Sequence, residues 1–507
     1  MIEPRTIIAG DRHTRNGLLI CVVSLFVLAT ALRILNITNP PLDYFPLRQL
    51  RAAIIARGMY YQQLPSANPA TRDLAVSLWH TMEPLEPPIF ERLVALTYRL
   101  IGGEHLWVAR VYSILFWMLG GLAIYALARR MTSPIAAIVT LIYYLFLPWS
   151  VIFSRIFQPD LLMVMFTLFA AYTIYRWADT PSWKWAALSG VLSGVAVLVK
   201  LPAVFPLAVM FIGIIITTRG VKKAISDPQA WLMGAAFVLI PAIYYLLIIP
   251  GSSGAWFSNQ VALMRTWVQP SFYIRWIIFA GGLVDLGVAF ISFVGVWLLP
   301  KKPRMVALAL WVGYALYGLA FPWHITTHEY YSIPLIPAIA LSLAPLAQAV
   351  FSRLNQGSRW MKWTVAGVLV FSIGYSGWIS RSILLSKSFR GESAGWKEFS
   401  QVLPKDGDLI GITHEMGIRI AYYGWTHVNP WLYDASFEQS LVGVADPRAE
   451  YQKTFENATR GQDYFVITLL DELDTQPMLK AYLNENYPIH VQADWYIIYD
   501  LTSGPDS

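Results

Sequence analysis

Apolar runs long enough to cross a bilayer are the feature that most restricts the fold of this chain. They recur through its first three quarters, and most are about 16–22 residues long, close to the length a helix needs to span the hydrocarbon core. The runs lie at Gly17–Leu35, Arg110–Leu127, Ile135–Phe153, Leu161–Tyr175, Trp185–Val199, Ala203–Thr217, Trp231–Ile249, Ile277–Leu299, Met305–Phe321, Tyr331–Ala349 and Thr364–Ile379. The sequence therefore predicts a mainly α-helical, polytopic transmembrane bundle with about eleven spans.

The composition agrees with a membrane protein. Only 14% of the 507 residues are charged and 56% are hydrophobic, whereas soluble domains carry roughly a quarter charged residues. The net charge of +7 resides mostly in short links between apolar runs, so it predicts contact with membrane lipids and no nucleic-acid partner. Cys21 is the only cysteine, which excludes an internal disulfide.

The basic links predict the orientation. Every second link carries Lys or Arg, and by the positive-inside rule these links are cytoplasmic. The residues concerned are Arg5, Arg12, Arg15, Arg129, Arg130, Arg176, Lys184, Arg219, Lys222, Lys223, Lys301, Lys302, Arg304, Arg353, Arg359 and Lys362. The predicted location is therefore the plasma (cell) membrane, with a cytoplasmic N-terminus and an extracytoplasmic C-terminal region.

Two segments on the predicted outer side are not spans. Between residues 36 and 109, Leu47–Tyr61 and Ile89–Leu100 have apolar residues at helical spacing with charges between them, which is typical of helices lying in the membrane interface. After residue 384 the long apolar runs end, and the pattern predicts a small soluble α/β domain. Its predicted elements are a helix at Trp396–Val402, strands at Leu409–Ile412 and Tyr464–Thr468, a helix at Pro477–Leu483 and a strand at Trp495–Tyr499. The predicted domains are thus a transmembrane domain, residues 1–384, and an extracytoplasmic domain, residues 385–507.

Ionisable residues gather at the predicted outer ends of the spans. Such residues are costly at membrane depth, so a group of them on one side indicates a functional site. The residues are Asp43, Glu86, Arg155, Asp160, Lys200, His328 and Glu329.

Most of these residues also have a simpler interpretation. Asp43 and Asp160 could each cap the helix that follows. Lys200 could anchor the end of a span, and Glu86 could be a solvated loop acid. Arg48 and Arg51, one turn apart on an interfacial helix, could contact lipid phosphate instead of substrate phosphate. His328 and Glu329 could bind a metal, but two adjacent residues do not make a metal site.

Five short motifs in a fixed order resemble a known family. They are Asp43 after the first span, Glu86-Pro87-Pro88, Gly102 followed by Arg110, Arg155 to Asp160 with Lys200 at the next span end, and His328-Glu329-Tyr330-Tyr331 before Pro334. Together they resemble the GT-C membrane glycosyltransferases, and within these the protein O-mannosyltransferase branch with the aminoarabinose transferases of lipid A. The resemblance covers Leu18 to Pro345.

The chain departs from this family at two motifs. Many members have Asp-Glu where this chain has Asp43-Tyr44, and Glu-Lys-Pro-Pro where it has Leu85-Glu86-Pro87-Pro88. These departures leave the use of a divalent cation open. Pro46, Arg48 and Gln49 are similar to the Pro-x-Arg-Gln signature of a prokaryotic subgroup.

The resemblance implies transfer of a sugar from a polyprenyl-phosphate carrier to an acceptor hydroxyl on a protein, lipid or glycan, with inversion at the anomeric carbon. Asp43 would be the general base. Asp160 and Glu86 would orient hydroxyls, or hold a divalent ion if one is used. The implied substrate-binding residues are Lys200, Arg48, Arg155, Arg275, His328, Glu329 and Tyr330. No nucleotide-binding motif is present, as expected for a donor whose sugar is already activated.

Two other classes of protein remain open from the sequence. A non-catalytic subunit of a membrane complex could share the same fold, and the missing second acid after Asp43 is compatible with that. A secondary transporter is disfavoured because such proteins show repeated halves with sites near the midplane, whereas the ionisable residues here lie at one interface.

Overall fold

The computed structural model describes residues 12–83, 85–248, 264–354, 357–405 and 407–503. Arg5, used to predict the orientation, and Ile249, the end of a predicted span, lie outside these ranges. The chain forms two compact units. The helical unit comprises Met1–Ile37, Leu85–Phe90 and Ala109–Ser386, and the mixed unit comprises Thr38–Pro84, Glu91–Val108 and Lys387–Ser507. The predicted division at residue 384 stays a prediction.

The described residues before 386 are mostly helical. Its helices are α1 (Arg12–Ile34), α2 (Pro46–Gln62), α3 (Pro69–His80), α4 (Ile89–Ile101), α5 (Trp107–Met131), α6 (Pro134–Phe146), α7 (Pro148–Phe153), α8 (Asp160–Asp179), α9 (Trp183–Val199), α10 (Val204–Arg219), α11 (Val221–Ser226), α12 (Pro228–Ala242), α13 (Pro270–Leu283), α14 (Leu286–Gly295), α15 (Lys301–Ala320), α16 (Pro322–Ile325), α17 (Leu335–Leu354) and α18 (Arg359–Leu385). Short 3₁₀ turns cover Leu201–Ala203, Met264–Val268, Val296–Leu298 and Glu329–Ser332, and a π-helical turn covers Ile243–Ile248.

The helices confirm an integral, multi-pass membrane protein. Within the described ranges, eight helices are long and apolar enough to span a bilayer, or nine if the bent pair α13 and α14 counts as one span. Two further predicted spans are the shorter apolar helices α6 and α9. The polytopic class predicted from the sequence is therefore confirmed, but the number eleven is not. Helices α2 and α4 have the bounds of the two helices predicted in this segment to within one residue, and their location in the membrane interface stays a prediction. Helix α3 was not predicted.

Two predicted spans are not continuous helices. The run Ile135–Phe153 breaks at Leu147, whose ψ of 126° is extended, because the following Pro148 disfavours a helical conformation there. The run Ile277–Leu299 bends by 93° between α13 and α14. There the Asp285 carboxylate accepts a hydrogen bond of 2.8 Å from the backbone N–H of Val288 and caps α14. A single proline or aspartate thus interrupts a run that hydropathy alone would join.

Small residues allow helices of the helical unit to approach closely. A Cβ added at Gly194 of α9 would lie 2.5 Å from the backbone oxygen of Ala236 in α12, and one at Gly190 would lie 2.9 Å from the Ala236 Cβ. Two glycines four residues apart form the small-residue face that membrane helices use to pack. This contact holds α9, and therefore its last residue before Lys200, in a defined position.

The mixed unit contains a five-stranded sheet. After residue 386 the elements are α19 (Arg390–Val402), β1 (Leu409–Ile412), a 3₁₀ turn (His414–Gly417), α20 (Ile418–Gly424), β2 (Asn429–Pro430), α21 (Ala435–Ser440), α22 (Pro447–Thr459), β3 (Tyr464–Ile467), α23 (Leu470–Asp474), α24 (Pro477–Asn486), β4 (Ile489–Ala493) and β5 (Tyr496–Asp500). The strand order is β2-β1-β3-β5-β4. The pairs β1–β2 and β1–β3 are parallel, and the pairs of β5 with β3 and β4 are antiparallel.

The predicted α/β region is confirmed, with two strands that the sequence did not predict. Strand β1 has the predicted bounds, and β3 and β5 lie within one residue of theirs. Strand β2 has only two residues, too few for a pattern, whereas β4 does alternate apolar and polar residues, at Ile489, Val491 and Ala493, and was missed despite that signal. The core of this region includes Phe455, Phe465 and Leu483, each fully buried.

Candidate active site

Asp160 begins α8 and lies buried against a lysine. Both carboxylate oxygens accept hydrogen bonds from the Lys200 ammonium, with distances of 2.9 Å to Oδ1 and 2.8 Å to Oδ2. The Asp160 side chain is 5% exposed. The residue preceding α8 is Pro159, and no side chain caps this helix end, so Asp160 is an ion-pair partner and not the cap that the simpler interpretation required.

Lys200 occupies the break between α9 and the 3₁₀ turn that leads into α10. Its backbone is extended, with φ −159° and ψ 125°, and Pro202 follows at a position where a continuing helix would need an N–H donor. Its side chain is only 7% exposed, so it does not reach towards the water layer as an anchoring lysine would. The end of α9 therefore places an ammonium group inside the protein.

Glu86 brings a second carboxylate to the same ammonium. Its Oε1 lies 3.7 Å from the Lys200 Nζ, and its side chain is 16% exposed. Glu86, Asp160 and Lys200 are called the carboxylate–lysine cluster below. Two acids around one ammonium carry a net charge of −1 when all are ionised, and an ammonium has three donors, of which Asp160 takes two. The cluster can thus bind hydroxyl groups through its oxygens and offer one N–H to an anionic oxygen.

Two tyrosine rings lie beside the cluster. The Lys200 Nζ is 5.8 Å from the centre of the Tyr330 ring and 5.4 Å from that of Tyr331, within the range of cation–π attraction. The His328 ring lies 5.3 Å from Tyr330, and the His324 ring lies 5.0 Å from Tyr331. The 3₁₀ turn Glu329–Ser332 holds both tyrosines, so the motif predicted late in the membrane domain does meet Lys200.

Arg155, Glu329 and Arg275 are the other predicted site residues of the helical unit. Arg155 is buried and donates to the backbone oxygen of Asn36 at 3.1 Å. Glu329 packs against Gly282, where an added Cβ would lie 3.2 Å from the Glu329 Cγ. Arg275 lies on α13 with an exposed side chain.

Asp43 and Arg48 belong to the mixed unit. The Asp43 Oδ1 accepts from the backbone N–H of Tyr44 at 3.0 Å and faces the Gln49 amide at 3.5 Å. No side chain caps α2, so Asp43 is not its N-cap. The residue at that position is Phe45, with φ 51° and ψ 55°, a left-handed conformation that costs a bulky side chain about 1–3 kcal/mol and is found mainly at functional sites.

Several buried polar residues were missed by reading the sequence. Arg33 in α1 donates to Ser154 Oγ at 2.6 Å and to the Leu145 carbonyl at 2.8 Å. A charge in the last turn of an apolar span was the available signal for it. Arg57, which is buried, and Glu104, which is partly buried, had no such signal, because they pair with each other across 47 residues of the chain.

The carboxylates of the helical unit are poorly arranged for a divalent cation. Among the residues described, no group of three or more His, Cys, Asp and Glu side chains is placed to hold a metal ion. Asp160 already uses both oxygens on an ammonium, whereas Mg²⁺ or Ca²⁺ takes about six or more oxygen ligands. The residues of the carboxylate–lysine cluster therefore do not fit a divalent cation.

Comparison with known proteins identifies the fold. The model of the family Dolichyl-phosphate-mannose-protein mannosyltransferase matches residues 85–263. The crystal structure of ArnT from Cupriavidus metallidurans bound to undecaprenyl phosphate is 16% identical, with a TM-score of 0.58, over 96% of this chain and 99% of that one. The chain has the GT-C fold of membrane glycosyltransferases.

A second solved structure supports the same fold. The archaeal oligosaccharyltransferase AglB from Archaeoglobus fulgidus, in complex with an inhibitory peptide and a dolichol-phosphate, is 13% identical with a TM-score of 0.56. The match covers 90% of this chain and 70% of AglB. No curated protein sequence matches the chain. The predicted resemblance to GT-C proteins is confirmed in the fold.

Proposed function

We propose that this protein moves one sugar, a hexose or a pentose, from a polyprenyl-phosphate carrier to a hydroxyl group of a protein, lipid or glycan. The carriers named in the solved relatives, undecaprenyl phosphate in ArnT and dolichol-phosphate in AglB, are the precedent for this donor. Transfer would take place at the extracytoplasmic face of the plasma membrane, with the N-terminus cytoplasmic and residues 385–507 outside.

The observation that carries the proposal is the buried ammonium of Lys200. A phosphodiester leaving as a phosphomonoester gains negative charge, and a cation fixed in a region of low dielectric stabilises that charge strongly. Lys200 is 7% exposed and held by two acids and two aromatic rings, so its position is set before substrate arrives. Arg48, Arg155 and Arg275 are the arginines proposed to assist at the phosphate.

The reaction would be a single displacement. The acceptor oxygen forms a bond to the anomeric carbon while the bond from that carbon to the phosphate oxygen breaks, so the electron pair leaves with polyprenyl phosphate. Asp43 accepts the proton of the acceptor hydroxyl, as the family resemblance implies. Asp160 and Glu86 orient sugar hydroxyls and hold Lys200, and His328, Glu329 and Tyr330 bind the substrate.

A donor panel in nanodiscs tests the proposal. Radiolabelled polyprenyl-phosphate hexoses and pentoses are given to wild type, Lys200→Gln and Asp43→Asn, and release of polyprenyl phosphate is measured. We expect one donor to turn over, and each variant to lose about 100-fold or more in rate. Lys302→Gln is the matched control, because Lys302 pairs with Asp179 at the other end of α8 and is expected to keep full activity.

The same experiment identifies the competing function. Binding of a donor without turnover by wild type, and equal binding by Asp43→Asn, would favour a non-catalytic GT-C-like subunit. Turnover that survives in Asp43→Asn but not in Lys200→Gln would retain the transferase and remove Asp43 as its base.

A further inference from the structure

Arg57 is a buried charge for which the mechanism above has no role. It lies in the second half of α2 and is 4% exposed. Its guanidinium donates to both oxygens of Glu104, with Nε–Oε2 at 2.9 Å and Nη2–Oε1 at 3.0 Å. The remaining nitrogen, Nη1, donates to the backbone oxygen of Tyr422 at 2.7 Å. All three guanidinium nitrogens therefore donate hydrogen bonds within the protein.

Aromatic rings complete the surroundings of Arg57. The guanidinium carbon lies 4.1 Å from the centre of the Tyr422 ring and 4.3 Å from that of Trp425. The Tyr422 hydroxyl donates to Glu104 Oε1 at 2.6 Å. These four residues, called the Arg57 clamp, come from three distant parts of the chain and join α2 to the region around α20. A planar fork that stacks on rings is a property of arginine that lysine lacks.

Helix α2, which carries Arg57, is also packed closely against α3. A Cβ added at Gly58, the residue after Arg57, would lie 2.4 Å from the Cβ of Trp79 in α3. Arg57 and Gln49 are eight residues apart on α2, about 12 Å along one rigid helix. A shift at Arg57 is therefore transmitted to the first turn.

The first turn of α2 orients the Asp43 carboxylate. The Gln49 amide donates to the Tyr44 backbone oxygen at 2.7 Å and faces the Asp43 Oδ1 at 3.5 Å. Between them, Phe45 has the left-handed backbone described above, and its oxygen accepts from the Gln49 N–H at 3.2 Å. Such a conformation persists only where the surroundings enforce it.

The other end of the same loop is also tied to the C-terminal part of the chain. The side-chain oxygen of Asn39 accepts from the Phe389 N–H at 3.0 Å, and its amide donates to the Lys387 oxygen at 3.4 Å. Arg390 donates to Thr38 Oγ1 at 2.9 Å. The loop that carries Asp43 is thus held at its start by residues 387–390 and at its end through α2.

We propose that Arg57 is a positioning residue for sugar transfer: through α2, the clamp holds the Asp43 carboxylate in its reactive orientation. The C-terminal region, through residues 387–390 and around α20, then holds the loop that carries Asp43. The proposal rests on the proposed function, in which Asp43 is the general base. Misplacing a reacting group by about 1 Å can cost about 100-fold in rate, so the clamp has a large effect on kcat without contacting substrate.

Transfer kinetics of Arg57→Lys test the proposal, with the donor found in the panel above. Lysine keeps the charge and loses the fork, so we expect kcat to fall about 100-fold while the donor KM stays within about twofold. Arg448→Gln is the control, because it removes the exposed Arg448–Glu485 pair of the same unit and should leave kcat unchanged. A kcat within about threefold of wild type, or a loss confined to KM, would overturn the proposal.

A spin label separates failure of the clamp from failure of the proposed base. Cys21, the only cysteine, is replaced in Cys21→Ser, and Leu47→Cys then gives a unique labelling site in the first turn of α2. We expect the label to become more mobile in Arg57→Lys and to stay unchanged in Arg448→Gln. Unchanged mobility in Arg57→Lys would refute the clamp. A more mobile label with full transfer activity would show that the clamp holds α2 but has no part in transfer, and would overturn the proposal; the role of Asp43 as the base is tested separately by Asp43→Asn in the donor panel.

Discussion

The two ends of α8 carry the same pair of residue types in different surroundings. The helix begins with Asp160, paired with Lys200, and ends with Asp179, paired with Lys302. At the first end the side chains are 5% and 7% exposed, whereas at the second Asp179 is 32% and Lys302 22% exposed. Asp179 also has Arg130 at 3.9 Å. The two ion pairs have the same residue types and differ in burial, so comparing them isolates the effect of burial.

The comparison concerns what each ion pair contributes to the free energy of folding. An exposed ion pair contributes about 0–1 kcal/mol, and at a predicted cytoplasmic end it serves orientation. A buried pair must overcome the desolvation of both ions, and replacing it by apolar groups often leaves stability unchanged or higher. The Asp160–Lys200 pair is therefore poorly explained by stability, and a role in binding charge explains why it is buried.

Removing one lysine at a time should give the largest difference in the free energy of unfolding between variants at the two ends of α8. Lys200→Met leaves Asp160 buried without its cation, and we expect the free energy of unfolding to fall by about 3–5 kcal/mol. Lys302→Met should cost about 0–1 kcal/mol, because Asp179 is partly solvated and keeps Arg130 nearby. Denaturant unfolding of both variants in the same detergent measures this. Equal losses would contradict the distinction between the two ends.

Neutralising the whole buried pair should have a smaller effect on stability. In the double variant Asp160→Asn with Lys200→Met neither charge of the pair remains, and the nearby Glu86 carboxylate is 16% exposed and so partly solvated. We therefore expect most of the loss in Lys200→Met to be recovered, to within about 1–2 kcal/mol of wild type. Sugar transfer should stay abolished, because the phosphate would lack its cation. Unfolding and donor turnover are measured on one preparation, and recovered turnover would show that Lys200 acts only in folding.

Added salt should have the smallest effect, and it should weaken the interaction energy of only one of the two ion pairs. The screening length falls from about 8 Å at physiological ionic strength to about 3 Å at 1 M, and buried pairs are screened much less than exposed ones. The energy of interaction between Asp179 and Lys302, from a double-mutant cycle, should shrink in 1 M salt by a few tenths of a kcal/mol, about half its value. The energy for Asp160 and Lys200 should not change. A parallel decrease at both ends would mean that water reaches Lys200.

Some of the candidate site could be predicted because helices bring distant residues together in a regular way. Helices α8 and α9 have 20 and 17 residues and follow one another through a short link, so the residue after α9 returns to the level at which α8 begins. That geometry brings Lys200 to Asp160 across 40 residues of sequence. The breaks at Leu147 and near Asp285 were missed because hydropathy averages over the single proline or aspartate that interrupts a helix.

What the sequence by itself determined was the class of the molecule: apolar runs of spanning length, basic links, a C-terminal change of pattern and five ordered motifs predicted a polytopic GT-C protein. These features are local or periodic, so they can be recognised without neighbours. Tertiary structure alone decided that Glu86 joins Lys200, that Asp43 is no helix cap, and that Arg57 is enclosed by Glu104, Tyr422 and Trp425. Such contacts depend on side-chain direction and burial between distant segments, and no local pattern records them.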